Sequence, residues 1–310
     1  MYDCIILGAG PAGLTAALYA ARAGLSALII EKGTIGGQIS QTNDIENYPG
    51  QSLEGESGMT LTERMLTQAK SFGAEKKRDT ILSAELSGEV KLLHGKKADY
   101  QAKTVIICTG ARPKLIGCEN EEKFIGQGIS FCATCDGAFY RNKDVYVVGG
   151  GDSAVEEAIF LTRFARKVTV IHRRDTLRAV KSIQTRAFAN PKLDFIWNTV
   201  VTKVDGSDLL DTMTVKNTVT GEEKVIHAEA DDGNFGLFVF VGLVPNTDLF
   251  TDSITTENGY IITDEDMHTN IQGVYAAGDV RKKSLRQVVT ATADGAIAAM
   301  QANKYIEEKK

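Results

Sequence analysis

DCIILGAGPAGLTAALYAARAGLSALIIEK, residues 3–32, decides the reading of the whole chain. A short apolar run enters Gly8-Ala9-Gly10-Pro11-Ala12-Gly13, an alanine-rich stretch follows, and a second apolar run from Ala27 to Ile30 stops at Glu31. Strand, glycine turn, helix and strand in this order form a dinucleotide-binding unit, and each residue type has a physical reason. Gly8 permits the tight turn, Gly10 lets main chain approach a pyrophosphate, and Gly13 lets helix and strand pack closely. The phosphates sit at the helix N-terminus, where uncommitted N–H groups and the helix dipole favour negative charge. Glu31 stands where an acid accepts a ribose hydroxyl.

The pattern then recurs. DVYVVGGGDSAVEEAIFLTRFARKVTVIHRRD, residues 144–175, repeats strand, glycine turn (Gly149-Gly150-Gly151-Asp152-Ser153-Ala154), helix and strand. Overlaying Gly8 on Gly149 places Glu31 on His172, with Arg173 and Arg174 next and Arg178 close behind. A carboxylate there would repel a 2′-phosphate, whereas arginines pair with one bidentately. The two copies therefore predict two different nucleotides, and the second site prefers NADPH over NADH. One glycine fingerprint is weak evidence; two in the same context, with opposite charge at the matching position, are much stronger.

The repeat extends beyond the fingerprints. A polar stretch of short alternating strands follows each unit, Thr80–Tyr100 and Thr199–His227, and each ends in an apolar strand with a proline exit, VIICTGARP at 105–113 and VFVGLVP at 239–245. TNIQGVYAAGDV, residues 269–280, then supplies a further strand ending in Gly278-Asp279 with no glycine fingerprint, and a helical segment runs from Gln287 to Ile306. That strand needs a sheet to join, and the first domain is the economical host. The expected fold class is α/β, with two Rossmann-like, three-layer ββα nucleotide-binding domains, the second inserted into the first. The expected boundaries are 1–113 with 245–310 for the first domain and 117–241 for the second, with hinges near 113–117 and 241–246, where Pro113, Gly117 and Pro245 punctuate the chain.

Composition narrows the function classes. The chain has 310 residues, 43% hydrophobic and 24% charged, which suits a folded protein of about two domains. A net charge of −5 gives no electrostatic reason to expect nucleic acid or an anionic membrane. The apolar run Leu237–Val244 is far short of the roughly 20 residues of a membrane helix. The N-terminus lacks the basic leader of a signal peptide and carries Asp3 there, so a cytoplasmic protein is expected. Arg281-Lys282-Lys283 reads as a solvated basic loop.

Five cysteines are too few for a disulfide scaffold. Cys4 and Cys108 sit in apolar strand runs and read as buried thiols; Cys118 lies in a polar connector. FCATCDGAFY, residues 131–140, holds the one cysteine pair, Cys132 and Cys135, with Asp136 directly after it. Such a pair serves as half a zinc site, a static bridge or a redox centre. Structural zinc takes four ligands, and no second CxxC or HxxxH exists here. In a reducing compartment the pair favours metal or redox chemistry over a static bridge.

At this point the sequence resembles the low-molecular-weight thioredoxin reductases of bacteria, over nearly its whole length. The matching elements are GAGPAG, GGQ at 36–38, ENYPG at 46–50, TGARP at 109–113, CATCDGAFY, GGGDSAVEEA, HRRDTLR at 172–178, YAAGDV at 275–280 and RQV at 286–288. The resemblance implies FAD on Gly8, Gly10, Pro11, Ala12, Gly13, Glu31, Gly37, Gln38, Asn47, Thr109, Gly110, Gly278 and Asp279, with Arg286, Gln287 and Val288 against the isoalloxazine. A helix starting there would aim its N–H groups at the flavin edge and favour the anionic reduced form. It implies NADPH on Gly149, Gly151, Asp152, Ser153, Ala154, His172, Arg173, Arg174 and Arg178. It further implies a redox disulfide between Cys132 and Cys135, with Cys135 nearer the flavin, Cys132 as interchange thiol and Asp136 as general acid. The partner would be thioredoxin or a thioredoxin-like protein, the assembly a homodimer, and a large rotation between domains would alternate the half-reactions.

Exchange proceeds through a thiolate and a mixed disulfide, so the leaving sulfur needs a proton source. His94, His172, His227 and His268 are all distant in sequence from the pair. An aspartate, with a reference pKa of about 3.9, could serve near neutral pH only with that value raised. Three other readings compete. A ferredoxin-fed reductase and a flavin-dependent dithiol oxidase have no need of the arginine cluster. A nucleotide-binding redox sensor would need an effector segment, and none is left over.

Overall fold

The computed structural model describes residues 1–41, 45, 47–51 and 56–309. The chain divides into two compact units, Met1–Arg112 with Val244–Lys310, and Pro113–Leu243 between them. Each is a Rossmann-like α/β domain.

In the first unit the apolar runs of the opening motif become β1 (Tyr2–Leu7) and β2 (Ala27–Glu31), joined by α1 (Pro11–Arg22). There follow α2 (Gly58–Ser71), β3 (Glu75–Arg78), β4 (Ile81–Glu85), β5 (Lys91–Gly95) and β6 (Asp99–Ile107). The sheet order is β3-β2-β1-β6-β5-β4. β1 pairs in parallel with β2 and β6, Cys4 lying opposite both Ala27 and Thr104. Near-continuous apolar runs such as CIIL and ALII are what a parallel sheet buried on both faces requires. Alternate residues accordingly go to opposite cores: Cys4 and Ile6 pack with the alanines of α1, whereas Ile5 and Leu7 pack with Leu93, Phe250 and Ile261.

From β6 the chain leaves through β7 (Ala111–Pro113) into the second unit, which repeats the plan. Its elements are β8 (Ile129–Ser130), α3 (Ala133–Asp136), β9 (Asp144–Val148), α4 (Asp152–Leu161), β10 (Lys167–Ile171), α5 (Lys181–Phe188), β11 (Leu193–Ile196), the meander β12 (Thr199–Asp205), β13 (Thr212–Asn217) and β14 (Glu223–His227), and β15 (Gly236–Val239). The sheet runs β11-β10-β9-β15-β8, all parallel, with Val145 and Val147 facing the helices and Val148 and Leu237 in the core shared with the meander.

The chain returns through β16 (Leu243–Pro245) to β17 (Thr256–Glu257), β18 (Tyr260–Ile261), β19 (Val274–Ala276) and α6 (Val288–Glu308). β19 pairs in parallel with the second half of β6, Val274 opposite Val105. α6 lies against α1 through small residues: a Cβ on Gly295 would stand 2.2 Å from the Ala12 carbonyl oxygen. Ala16, Ala17, Ala20, Ala298, Ala299 and Ala302 are fully buried in the same core.

Two expectations are corrected. Arg281 and Lys283 are not solvated. Both pair with the buried Asp294 of α6, at 2.9 and 2.7 Å, because an aspartate sealed among alanines needs cationic partners. Lys282 alone of that loop stands at the surface, paired with Glu257. Cys118, read as lying in a polar connector, is buried in the core of the second unit beside Phe124 and Val204.

Asp3 ties the start of β1 to its neighbours. Its Oδ1 accepts from Lys103 Nζ at 2.7 Å, and its Oδ2 accepts from the Ser26 amide and hydroxyl at 3.0 and 2.8 Å. Burial pushes this carboxyl up, but Lys103 and Ser26 outweigh it and hold Asp3 at about 2. A depressed carboxylate contributes stability above its unfolded value of about 3.9, and that contribution is lost as pH falls through about 2. Asp3→Asn is therefore expected to cost about 1 to 2 kcal/mol at pH 7, allowing for solvent screening at the half-exposed Lys103. Chemical denaturation of both proteins across acid pH should show the gap closing below pH 3.

Candidate active site

The first glycine turn is built by close main-chain contacts. Gly8 has φ +107°, and a Cβ there would meet the Cys108 carbonyl oxygen at 2.4 Å. A Cβ on Gly13 would lie 2.0 Å from the Gly8 oxygen, so only glycine lets α1 start this close to β1. Gly10 is the N-cap of α1 without a side-chain cap, Pro11 opens the helix, and nothing lies within 3.9 Å of where a Gly10 Cβ would be. The turn thus leaves open ground in front of uncommitted helix N–H groups, the setting in which helix starts bind anions.

Around that ground the fold gathers residues from distant parts of the chain. Glu31 Oε2 accepts from the Ala9 amide at 2.8 Å and Oε1 from the Gly33 amide at 2.7 Å, holding the carboxylate at the turn's edge. Gly36 N–H donates to the Ala9 carbonyl, and a Cβ on Gly37 would stand 3.7 Å from the Gly10 Cα. Gln38 Nε2 donates to the Ala111 carbonyl, next to Gly110 with φ +66°. Thr109 Oγ1 donates to the Asn246 carbonyl at 2.7 Å. Gly278 has φ +79°, a Cβ there would stand 2.9 Å from the Ala12 Cβ, and its amide donates to Asp294 Oδ2 at 3.0 Å.

Asn47 Nδ2 donates to Gln287 Oε1 at 3.1 Å, joining the ENYPG stretch to the start of α6, where Gln287 is the N-cap and Val288 the first buried residue. Glu46 of that stretch lies outside the described residues. At this end of the site Asp279 Oδ1 and Arg286 Nε are buried with no hydrogen-bond partner among the described residues. Burial raises the Asp279 carboxyl, against the opposing pull of Lys283 and Arg286. Arg286 also stacks over the Tyr260 ring at 4.3 Å. A buried acceptor and a buried donor with no protein partner are what a polyhydroxyl, ring-bearing ligand would satisfy. These residues fit FAD.

The second glycine turn differs in its chemistry. Gly149 has φ +152°, and a Cβ there would lie 2.5 Å from the Ala154 Cβ and 2.7 Å from the Phe240 carbonyl oxygen. Gly151 caps α4, the exposed Ser153 lies in its first turn, and Asp152 Oδ1 accepts from the Val180 amide at 2.7 Å. His172, in Glu31's place, is buried beneath Gly150, whose Cβ would collide with the imidazole at 2.3 Å. Burial, with Arg178, Arg174 and Arg173 alongside, lowers the His172 pKa, so it is neutral and the charge resides on the arginines. Arg173, Arg174 and Arg178 are exposed and form no ion pair among the described residues, and Arg178 extends to Gly151. Unpaired arginines beside a glycine-turn helix start fit a phosphorylated ribose.

In the same unit Cys132 and Cys135 are joined as a disulfide. Cys132 is the N-cap of the single-turn helix α3, whose last residue is Asp136. Asp136 Oδ2 accepts from Ser130 Oγ at 2.6 Å. Burial holds the Asp136 carboxyl above the usual carboxylate range, outweighing that hydrogen bond. Thr134 Oγ1 lies 3.4 Å from Cys132 Sγ, and since a bridged sulfur carries no hydrogen the hydroxyl donates. The arrangement can open to a dithiol with a carboxyl acid beside it. No group of residues suited to a metal ion occurs among the described residues.

The family described as Pyridine nucleotide-disulphide oxidoreductase matches residues 2–295. The chain belongs to this family. It is 54% identical over 308 residues to a thioredoxin reductase of Peptoclostridium acidaminophilum, covering 99% of this chain and 98% of that one. It is 48% identical to a thioredoxin reductase of Bacillus subtilis over 99% of this chain and 96% of the relative. Among solved structures, thioredoxin reductase from Streptococcus pyogenes superposes with a TM-score of 0.90 at 49% identity, covering 99% of both chains. Family membership makes the chain an oxidoreductase that uses a flavin and a pyridine nucleotide. No described helix is long and apolar enough to cross a membrane.

Two residues of the site escaped the sequence reading. Ser130 stands two positions before the cysteine pair, and only the turn of α3 brings Asp136 back to it. Asp294 had a visible signal, a lone acid in VVTATADGAIAAM, an otherwise small-residue helix. It anchors the Gly278 amide, Arg281 and Lys283 together.

The three remaining thiols are inert by construction. Burial pushes Cys4 and Cys118 up to about 12 and Cys108 well above its usual value. Alkylation of the native protein after mild reduction should label Cys132 and Cys135 only, the other three reacting after denaturation. Mass-spectrometric mapping of the labelled sites checks this.

Proposed function

We propose that this chain reduces the disulfide of thioredoxin or a thioredoxin-like protein, with NADPH as electron source, FAD as bound carrier and Cys132–Cys135 as the exchanging pair. The observation that carries the proposal is the pairing, within one unit, of a bonded CxxC beside a raised carboxyl with a glycine turn whose strand end bears free arginines. When bound, FAD supplies the relay between a hydride donor and a disulfide. The full-length likeness to proteins named thioredoxin reductase supports the choice of substrate.

Each residue then has a task. Gly8, Gly10 and Gly13 keep the start of α1 open for a pyrophosphate; Glu31, placed by the Ala9 and Gly33 amides, orients a ribose; Asp279 meets ribitol hydroxyls. Arg173, Arg174 and Arg178 select a 2′-phosphate. In the exchange, the Cys132 thiolate attacks the partner disulfide, and Asp136 protonates the sulfur that leaves. The Cys135 thiol, passing its proton back to the Asp136 carboxylate, then attacks Cys132, closing the protein's disulfide and releasing the partner's second thiolate, which takes its proton from water. The partner gains two electrons and two protons, and the pair is oxidised. The proposal includes rotation of the inserted unit on connectors near 113–117 and 241–246, since one cysteine pair must serve two exchanges in turn. It also includes a cytoplasmic homodimer.

The experiment is anaerobic titration of the FAD-loaded protein with NADPH and with NADH, followed by oxidised thioredoxin. Bleaching by NADPH but poorly by NADH, with colour returning on thioredoxin, is the expected result. If NADPH fails to bleach the flavin, the second-site assignment is wrong; if bleaching occurs without recovery, the partner is wrong. Arg173→Ala with Arg174→Ala should raise the KM for NADPH about 100-fold and leave NADH nearly unchanged, each lost charged hydrogen bond being worth about 1.5 kcal/mol or more.

A further inference from the structure

Ser130 ends β8, is 5% exposed, and touches both halves of the exchange centre. Its Oγ accepts from the Cys132 amide at 3.1 Å. It also has two acceptors within reach for its single proton, Asp136 Oδ2 at 2.6 Å and the Cys132 carbonyl at 3.3 Å. A hydroxyl has one donor and two lone pairs, so it can serve only one of those acceptors at a time.

We infer that Ser130 is a positioning residue for proton transfer, a hydroxyl that turns between Asp136 and the Cys132 carbonyl and so satisfies the carboxyl in either protonation state. With Asp136 ionised, the Ser130 proton points to Oδ2, and 2.6 Å is the length of a charge-assisted O–H···O⁻ bond. With Asp136 protonated, the hydroxyl turns its proton to the Cys132 carbonyl and accepts the carboxyl proton on its second lone pair. The Cys132 amide keeps the first lone pair in both states, so the acid stays registered on the cysteine it serves. Neither state leaves a buried group unpaired, which would cost about 1 to 3 kcal/mol. The proton count is unchanged by the turn.

The surroundings leave this control to Ser130. Tyr140, in the turn after α3, is the ionisable neighbour that senses Asp136. The helix α4 packed against α3 carries Asp152, Glu156 and Glu157, none of which perturbs Asp136, and β15 beside β8 carries no ionisable residue.

The inference rests on Asp136 as the acid, and the test separates the two. Stopped-flow reaction of the NADPH-reduced holoenzyme with oxidised thioredoxin is followed across pH for wild type, Asp136→Asn, Ser130→Ala and Ser130→Thr. The protonated donor is present below the raised Asp136 pKa and lost as pH rises through it, so wild type should show an alkaline limb that Asp136→Asn lacks. Without the Ser130 donor the carboxylate is less stabilised. Ser130→Ala should therefore move that limb up by about one pH unit and slow the optimum about 3- to 10-fold, with Ser130→Thr restoring both. Infrared titration of the Asp136 carboxyl band, assigned by its loss in Asp136→Asn, reads the same shift without turnover. If Asp136→Asn retains the limb, the acid assignment fails. If it loses the limb but Ser130→Ala leaves limb and band where they were, the Ser130 inference is overturned, whatever the change in melting temperature or FAD content.

Discussion

A main-chain carbonyl standing where a side chain would otherwise be is the constraint on which this molecule depends. The Gly8 oxygen fills the space of a Gly13 Cβ, and the Ala12 oxygen fills that of Gly295, so α1 sits tight on β1 and α6 tight on α1. Those contacts decide where α1 begins, and therefore where its first N–H groups point. They also decide where the Gly278–Asp279 loop falls, because Gly278 lies against Ala12 in the same packing. Overpacking costs about 1 to 3 kcal/mol where neighbours can yield, and backbone yields least. Geometry at the helix start is thus paid for by the alanine and glycine content of two helices.

The second unit uses the same frame to opposite electrostatic effect. Glu31 reaches back to the turn through two amides and fixes negative charge there. His172, at the matching strand end, goes under the turn instead, where Gly150 leaves it room, and it becomes neutral by burial. That displacement leaves the strand end without a carboxylate on the turn and lets Arg173 and Arg174 stand outward beyond it. One backbone plan therefore presents two different electrostatic faces, according to whether a single side chain rises above its glycine turn or lies beneath it.

The fold was legible because its signals are local and repeated. CIIL and ALII flanking a glycine turn dictate paired parallel strands, and the second copy dictates a second sheet. Pairing of β19 with β6 follows from the need of an apolar strand for a sheet. What the sequence hid was compensation at a distance. Arg281 and Lys283 looked solvated because charge next to charge usually is; Asp294, nearly two turns into α6, draws both inside. The partnership of Ser130 with Asp136 was hidden for a similar reason, since six residues separate them and only a one-turn helix folds them together. Cys118, read as part of a polar connector, packs with residues of β12 and β13 in the second unit's core.

Insertion of one unit into another has a consequence for birth as well as for function. The strand that completes the first sheet, β19, and the helix that seals its core, α6, are encoded only after the whole of the second unit. Until they emerge, the alanine face of α1 and the outer half of β6 lack their covers. The second unit, by contrast, is contiguous from Pro113 to Leu243 and carries everything its own sheet needs. Domains fold as units during synthesis, and pairings far apart in sequence form slowly. The later-encoded domain should therefore reach its native state first on the ribosome, leaving the N-terminal half waiting for its own C-terminus.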